Sequence, residues 1–356
     1  MNMLSKIKGF LGGSKVVKKI LIMPQNVTID VGPGQTLLEA ALESGIAYPH
    51  DCTVGNCSSC KTRLMEGRVR EGTPFGYTLS KQELDAGYIL ACQAFPRDEL
   101  TVVEIPTADV ELPVAKCCSA KIVRTLPLTH DILEVTVQAD SPIDYVAGQY
   151  GNILAPGLTR HRSYSFAKAP LRGKGSCELV FFIRKVSGGA LTDALFKGEL
   201  DSVPLEFNGP HGNFYLRNIN SSAPMICIAG GSGLAPLLSL LEDARNQRVR
   251  RPCLMLFGAR TQADLYKTEV IRSLAENWPA PFKFVPVLSD EPAGSDWAGA
   301  RGLVTDLIDF SIEPGSEGYL CGPPPMIDAA IAKLVEHGIN IEDVFYDKFV
   351  DGGGAD

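Results

Sequence analysis

The sequence predicts a multi-domain chain built of an α+β part, an antiparallel β-barrel and an α/β parallel sheet, in that order. Its 356 residues exceed one ordinary core, since single domains hold roughly 100–200 residues. The hydrophobic pattern also changes character twice, from strand–turn–strand–helix, to β-rich runs broken by Gly and Pro, to apolar strands alternating with helices. Finally, Pro106 and Pro113 bracket a linker around residues 107–115. The expected domains are 18–107, 116–217 and 223–350.

In the first domain, alternation over residues 18–29 reads as a strand, a turn and a strand. A helix over 37–44 is stopped by Gly45, and a strand over 100–105 closes the unit. The second domain has strand runs at 119–123, 132–138, 148–154 and 177–184 with few helical stretches, which calls for antiparallel closure. In the third, strands at 225–229, 253–257, 283–288 and 318–321 alternate with helices such as 237–246 and 326–337. That alternation means a parallel sheet. Ahead of all three, Met3, Leu4, Ile7, Phe10 and Leu11 recur at helical spacing. So short a segment is marginal as an isolated helix and is read as a solvated or loosely docked tail, the alternative being an amphipathic helix for membrane or partner docking.

With 45% hydrophobic and 21% charged residues the chain has the composition of a folded globular protein. A formal net charge of −7 excludes non-specific nucleic-acid binding, which needs basic surface, and favours a protein partner. No apolar run approaches the roughly 20 residues that span a bilayer, and no signal peptide is evident, so a cytoplasmic location is expected. Of ten cysteines, four cluster by spacing and six are scattered, which points to reduced thiols and one metal site rather than disulfides.

Cys52, Cys57 and Cys60 are spaced C-x4-C-x2-C, and Cys92 supplies a fourth thiolate much later. This is the plant-type spacing for a 2Fe-2S cluster, in which each iron takes two thiolates. Gly55 and Asn56 allow the backbone turns that such a loop requires. The rival, a structural zinc site, normally uses two C-x2-C pairs, and the second pair is missing. Residues 18–107, including Ile89-Leu90-Ala91-Cys92-Gln93, resemble plant-type ferredoxins. The resemblance implies the ferredoxin β-grasp fold and one 2Fe-2S cluster. Ser58 stands where such ferredoxins often have Gly.

Arg162-Ser163-Tyr164-Ser165 offers a guanidinium for phosphate, an aromatic face for a ring and hydroxyl donors. Downstream, Ser187-Gly188-Gly189-Ala190-Leu191-Thr192 precedes an apolar helical stretch, whose first amides suit a pyrophosphate. Gly209-Pro210-His211-Gly212-Asn213-Phe214 ends the domain. These segments, in this order, resemble the flavin domain of the ferredoxin-NADP reductase superfamily. The resemblance implies FAD, with Tyr164 stacked on the ring, Arg162 on phosphate, Ser165 near the flavin N5, and Gly189 to Thr192 on the pyrophosphate.

Residues 226–229 form a short apolar strand running into Gly230-Gly231-Ser232-Gly233-Leu234-Ala235-Pro236, so the backbone can approach a dinucleotide closely. Pro236 breaks the Rossmann G-x-G-x-x-G pattern. The loop resembles the reductase superfamily's own, with Ser232 where Thr is common. Phe257-Gly258-Ala259-Arg260 and Cys321-Gly322-Pro323-Pro324-Pro325-Met326 agree. The resemblance implies that Cys321, Gly322 and Pro323 lie against nicotinamide and that Phe349 covers the flavin. Arg260 is the basic candidate for a 2′-phosphate, and because Asp264 follows closely and would repel that phosphate, NADH is expected.

The histidines, His50, His130, His161, His211 and His337, show no metal-binding pairing. Cys117, Cys118, Cys177, Cys227 and Cys253 sit in or beside apolar strands and are read as packing. In domain order, residues 18–350 resemble the NADH-dependent reductase components of bacterial multicomponent oxygenases, such as those serving methane or phenol monooxygenases and benzoate-type dioxygenases. This implies hydride transfer from NADH to FAD and single-electron delivery through the cluster to a terminal oxygenase, by a monomer. The same modules could feed a reductive sugar-modifying enzyme. A non-catalytic redox sensor would leave the nicotinamide loops without a use.

Residues 20–107 carry 6 Lys and Arg against 11 Asp and Glu, a balance of −5, which predicts docking to a basic patch on the acceptor. The rate of acceptor reduction should therefore fall as salt rises, and a rate independent of ionic strength would remove electrostatic docking.

Overall fold

The structure, a computed structural model, describes residues 18–46, 48–50, 53–55, 58–105, 110, 112–308, 312–313 and 315–349. The tail at 1–17 and residues 107–109 and 111 of the expected linker lie outside the described residues. The chain divides into two compact units, Met1–Thr107 and Ala108–Asp356.

The first unit is an α+β fold. Strands β1 (Lys18–Met23) and β2 (Val27–Val31) form the predicted hairpin, followed by helix α1 (Leu37–Glu43). A capping box starts α1: Thr36 Oγ1 accepts from the Glu39 amide at 3.2 Å, and Glu39 Oε2 accepts from the Thr36 amide at 2.8 Å. Leu37, Leu38, Ala40 and Ala41 then face the core beside Ile20, Ile22 and Val103. Next come β3 (Lys61–Glu66), β4 (Val69–Glu71), helix α2 (Lys81–Asp85), β5 (Tyr88–Leu90), β6 (Ala94–Pro96) and β7 (Leu100–Glu104). The main sheet has the order β2-β1-β7-β3-β5, with β1 and β7 parallel. The β3–β5 register pairs Lys61 with Leu90, so the residue before β3 and the turn after β5 come together at one end of the sheet. Those positions are Cys60 and Cys92.

The second unit begins with β8 (Lys116–Pro127), β9 (Ile132–Ile143), β10 (Tyr150–Leu154), β11 (Arg162–Ser165) and β12 (Ser176–Arg184). Helix α3 (Ala190–Phe196) and β13 (Pro204–His211) complete it. The strands pair antiparallel in the order β11-β10-β13-β8-β9-β12. A bridge between Phe166 and Phe181 joins the two ends and closes the barrel. Phe166, Phe181 and Phe207 fill its interior, with Tyr145 stacked on Phe166 at 4.0 Å between ring centroids.

The remaining elements are β14 (Met225–Gly230), α4 (Leu234–Asn246), β15 (Cys253–Ala259), α5 (Thr268–Glu276), β16 (Phe282–Leu288), β17 (Ala300–Arg301), β18 (Glu317–Gly322), α6 (Pro324–Glu336) and β19 (Val344–Lys348). They form a parallel sheet in the order β17-β16-β15-β14-β18-β19. Along β14 the side chains alternate: Met225, Cys227 and Ala229 face α4 and α5, and Ile226 and Ile228 face α6. Helix α4 is buried almost all round because the barrel residues Val180, Phe182 and Phe214 share its cluster. Polar contacts fix the same joint. Arg172 makes a two-pronged pair with Asp243 (Nε–Oδ1 3.0 Å, Nη2–Oδ2 2.6 Å), and Ser239 Oγ donates to the Lys168 carbonyl at 2.5 Å.

At the opposite, N-terminal edge of this sheet Arg251 is wholly buried. It donates from Nε to the Ala223 carbonyl at 2.6 Å and from Nη1 to the Arg217 carbonyl at 3.2 Å. Its Nη2 lies 2.9 Å from Glu317 Oε2, an ion-pair contact without hydrogen-bond alignment. Replacing Arg251 with Met keeps the volume but strands the Glu317 charge, so stability should fall by roughly 3–5 kcal/mol. A denaturant midpoint followed by tryptophan fluorescence reads this, and adding Glu317→Gln should recover part of the loss.

Candidate functional site

Cys60 and Cys92 are buried side by side, with the Cys92 amide directed at Cys60 Sγ over 3.5 Å. Cys52 and Cys57 lie outside the described residues. The loop between them is braced from outside: Gln93 Nε2 donates to the Thr53 carbonyl at 3.0 Å, and the Thr78 hydroxyl donates to the Gly55 carbonyl. Gly55 has φ +87°, and a Cβ there would come within 2.9 Å of the Gln93 side chain, so only glycine suits this turn. Below it, Lys61 Nζ pairs with the fully buried Glu83 at 2.6 Å, and Glu83 also accepts from the Ser80 amide at 2.9 Å. Paired soft sulfur donors with an amide aimed at one of them fit an iron–sulfur cluster.

On the barrel, the β10–β11 register sets Tyr164 opposite Gly151 and Ser163 opposite Asn152. Ser163 Oγ donates to Asn152 Oδ1 at 2.6 Å. Tyr164 is half-buried against the barrel core, and burial raises its phenol pKa despite the opposing Arg162 charge. Arg162 Nη1 reaches the Arg160 and His161 carbonyls at 3.2 and 3.3 Å. Ser165 is buried, and its hydroxyl donates to Asp347 Oδ2 on β19 over 3.4 Å. Gly189 caps α3, with Ala190 and Leu191 at its head. Thr192 Oγ1 ties that turn to the Val186 and Gly189 carbonyls at 3.3 and 3.1 Å. The open Gly188 turn and the helix start leave room for a phosphate group.

In the parallel sheet the strand order reverses between β14 and β18, the place where such sheets bind ligands. Ala229 pairs there with Cys321, and a Cβ on Gly233 would lie 2.2 Å from the Cys321 carbonyl oxygen. Only glycine permits the Gly230–Gly233 turn to close on this strand. Tyr266 holds the turn by donating to the Gly231 carbonyl at 2.9 Å. Phe349 is anchored by its amide to the Gly322 carbonyl at 2.9 Å, next to Pro323. A cleft of about 400 Å³ runs along these strand ends, lined by Gly230, Gly231, Gly258, Arg260, Thr305 and Pro323 among others. Ser232 lies half-buried in the turn between Gly231 and Gly233. Burial, and then the Asp347 carboxylate, push the Cys321 thiol well up. It therefore remains a neutral thiol, suited to contact rather than nucleophilic attack.

Some positions of the candidate site escaped the sequence reading. Asp347 lies within the Tyr346-Asp347-Lys348-Phe349 segment, but its meeting with Ser165 depends on β19 pairing with β18, Cys321 against Asp347. Asp131 and Arg184, from the barrel, line this cleft beside Arg260. The scattered cysteines need a correction. Cys227 and Cys253 are buried and Cys118 packs half-buried against the barrel core, but Cys117 is exposed and Cys177 partly so: Cys117 lies at a strand end, on the face opposite its neighbour Cys118. Among the described residues no helix is long and apolar enough to cross a membrane.

Comparison with known proteins agrees with this geometry. Residues 20–97 match the model of a 2Fe-2S iron-sulfur cluster binding domain, 119–215 an oxidoreductase FAD-binding domain and 227–331 an oxidoreductase NAD-binding domain. The electron transfer component of xylene/toluene monooxygenase from Pseudomonas putida is 41% identical, over 93% of each chain. The reductase component of phenol 2-monooxygenase from Pseudomonas sp. strain CF600 is 34% identical, over 94% of this chain and 96% of its own. The crystal structure of an Amycolatopsis cytochrome P450 reductase superimposes with a TM-score of 0.69 at 34% identity, over 94% of this chain and 99% of that one.

The Thr78 brace generates a direct test. Thr78→Val keeps the shape but leaves the Gly55 carbonyl without its donor, a local loss of about 1–3 kcal/mol. Iron and sulfide content and the half-life of visible absorbance under a chelator should both drop; an unchanged half-life would remove the bracing role.

Proposed function

The chain belongs to the iron–sulfur flavoprotein reductase components of multicomponent oxygenases, and from that premise we propose that its acceptor is the terminal component of a hydrocarbon monooxygenase. It is an NADH-dependent oxidoreductase with 2Fe-2S, FAD and NAD domains. The observation that carries the proposal is the 41% identity over 93% of the chain to a component serving a xylene/toluene monooxygenase. When bound, nicotinamide supplies a hydride and the flavin divides it into the single electrons that an iron–sulfur cluster accepts.

On this reading the residues have separate tasks. The Gly230–Gly233 turn and Cys321 hold the nucleotide against the strand ends. Arg162 and the start of α3 take the flavin phosphates, Tyr164 supports the ring, and Phe349 covers it. Asp347 holds the Ser165 hydroxyl in place, so that a hydrogen-bonding group of fixed orientation meets the flavin edge. Cys60 and Cys92, together with Cys52 and Cys57, ligate the cluster. A single copy of the chain carries every group in this route, so we place it as a monomer, in the cytoplasm where NADH and reduced thiols belong.

Cys92→Ser separates the two halves of the route. The variant should keep flavin absorbance and NADH–ferricyanide turnover while losing most NADH–cytochrome c reduction and all delivery to the oxygenase component. Delivery that survives without a cluster would sink the proposal.

A further inference from the structure

Two lobes of the second unit meet at the rim of the nucleotide cleft. From the barrel comes the Thr129–Asp131 turn, stiffened by Thr129 Oγ1 donating to Asp131 Oδ1 at 2.9 Å and by the Lys185 amide donating to the Asp131 carbonyl at 2.8 Å. From the parallel sheet come Arg260, just beyond β15, and Asp264. Arg260 Nη2 donates to Asp131 Oδ2 and to Asp264 Oδ1, each at 3.0 Å, and lies 3.5 Å from His130 Nε2, so its strongest bonds go to carboxylates. Arg184 Nε reaches Asp131 Oδ2 at 3.3 Å, and His130 Nδ1 lies 3.4 Å from Asp264 Oδ1. His130, Asp131 and Asp264 converge closely enough to resemble a cation site. The cation that they hold is the Arg260 guanidinium.

The charges explain what this arrangement does to a dinucleotide. Arg260 follows the second strand of the sheet and lines the cleft, the place that makes it the basic candidate for a 2′-phosphate of NADPH. Asp264 sits on the same loop and was legible in the sequence. Asp131 is 129 residues away and belongs to the other lobe. With both carboxylates present, two negative charges balance the guanidiniums of Arg260 and Arg184. The rim then offers carboxylate acceptors to a ribose diol and no net attraction to a phosphate dianion. Remove Asp131 and the balance becomes +1, with Nη2 of Arg260 freed of its bond to the barrel. Burial works against ionisation of Asp131, but the Thr129 hydroxyl and the Arg260 and Arg184 charges hold its carboxyl below the usual range, so the charge is present at neutral pH.

We propose that Asp131 is a positioning residue for nucleotide choice: reaching across from the barrel, it pins and neutralises Arg260 and so selects NADH over NADPH. The inference rests on the reading of this cleft as the NADH site. It adds a specificity element from the flavin-binding lobe, which a reading of the nucleotide-binding lobe alone would miss.

The test uses the full chain with its cluster and FAD, following flavin bleaching and ferricyanide turnover with each nucleotide. In Asp131→Asn, kcat/KM for NADPH relative to NADH should rise at least roughly fivefold, mainly through a lower KM for NADPH. Asp131→Glu, which retains the charge, should return the ratio toward wild type. Adding Arg260→Gln to Asp131→Asn should abolish the gain, because the effect is transmitted through that guanidinium. If wild-type flavin is not bleached by NADH, the cleft reading fails and takes the inference with it. If NADH bleaches it but the ratio does not move in Asp131→Asn, or moves equally without Arg260, the inference alone is overturned. A merely structural role would lower turnover with both nucleotides and leave their ratio unchanged.

Discussion

Burial of helix α4 between two lobes is the constraint on which the flavin- and nucleotide-handling half of this protein depends. Its face toward the parallel sheet packs on Met225, Cys227 and Ala229, and barrel residues such as Val180 and Phe182 join the same cluster. A helix that is apolar nearly all round can satisfy itself only between two partners. The Arg172–Asp243 pair and the Ser239–Lys168 hydrogen bond give the joint an orientation that apolar contact alone would not. Once the lobes are held so, groups far apart in sequence meet at the strand ends. Ser165 reaches Asp347, and Asp131 reaches Arg260.

The second of those meetings lines the cleft at the strand ends. The cleft is lined by Gly230, Gly231 and Gly258, which let backbone approach a ligand, while the neutral Cys321 thiol stays buried beneath the glycine turn. Charge is kept to the rim, where carboxylates and guanidiniums balance. In the ferredoxin-like unit the same economy holds in another form. The described residues Thr53 and Gly55 of the cysteine loop are held by Gln93 and Thr78, and the β3–β5 pairing brings Cys60 and Cys92 together. Supporting side chains of this kind hold metal ligands in place before the metal does.

The sequence by itself determined the ordering of the three sheets, the C-x4-C-x2-C spacing, and the glycine turns at Gly189 and Gly230–Gly233, because each is written in local periodicity or in fixed short offsets. The barrel strands β11 and β13 were weaker signals, since a four-residue polar run and a stretch broken by Gly209-Pro210 carry little alternation. The tertiary structure alone decided which side chains face one another. Asp347 becomes a partner of Ser165 only through β19 adding to the edge of the sheet, and Asp131 becomes a partner of Arg260 only through the packing of two lobes across α4. Cys117 shows the same limit in reverse: an apolar neighbourhood in sequence did not bury it, because its place at a strand end turns it to solvent. Periodicity reports which face of an element is buried; it carries no record of what the other element brings to that face.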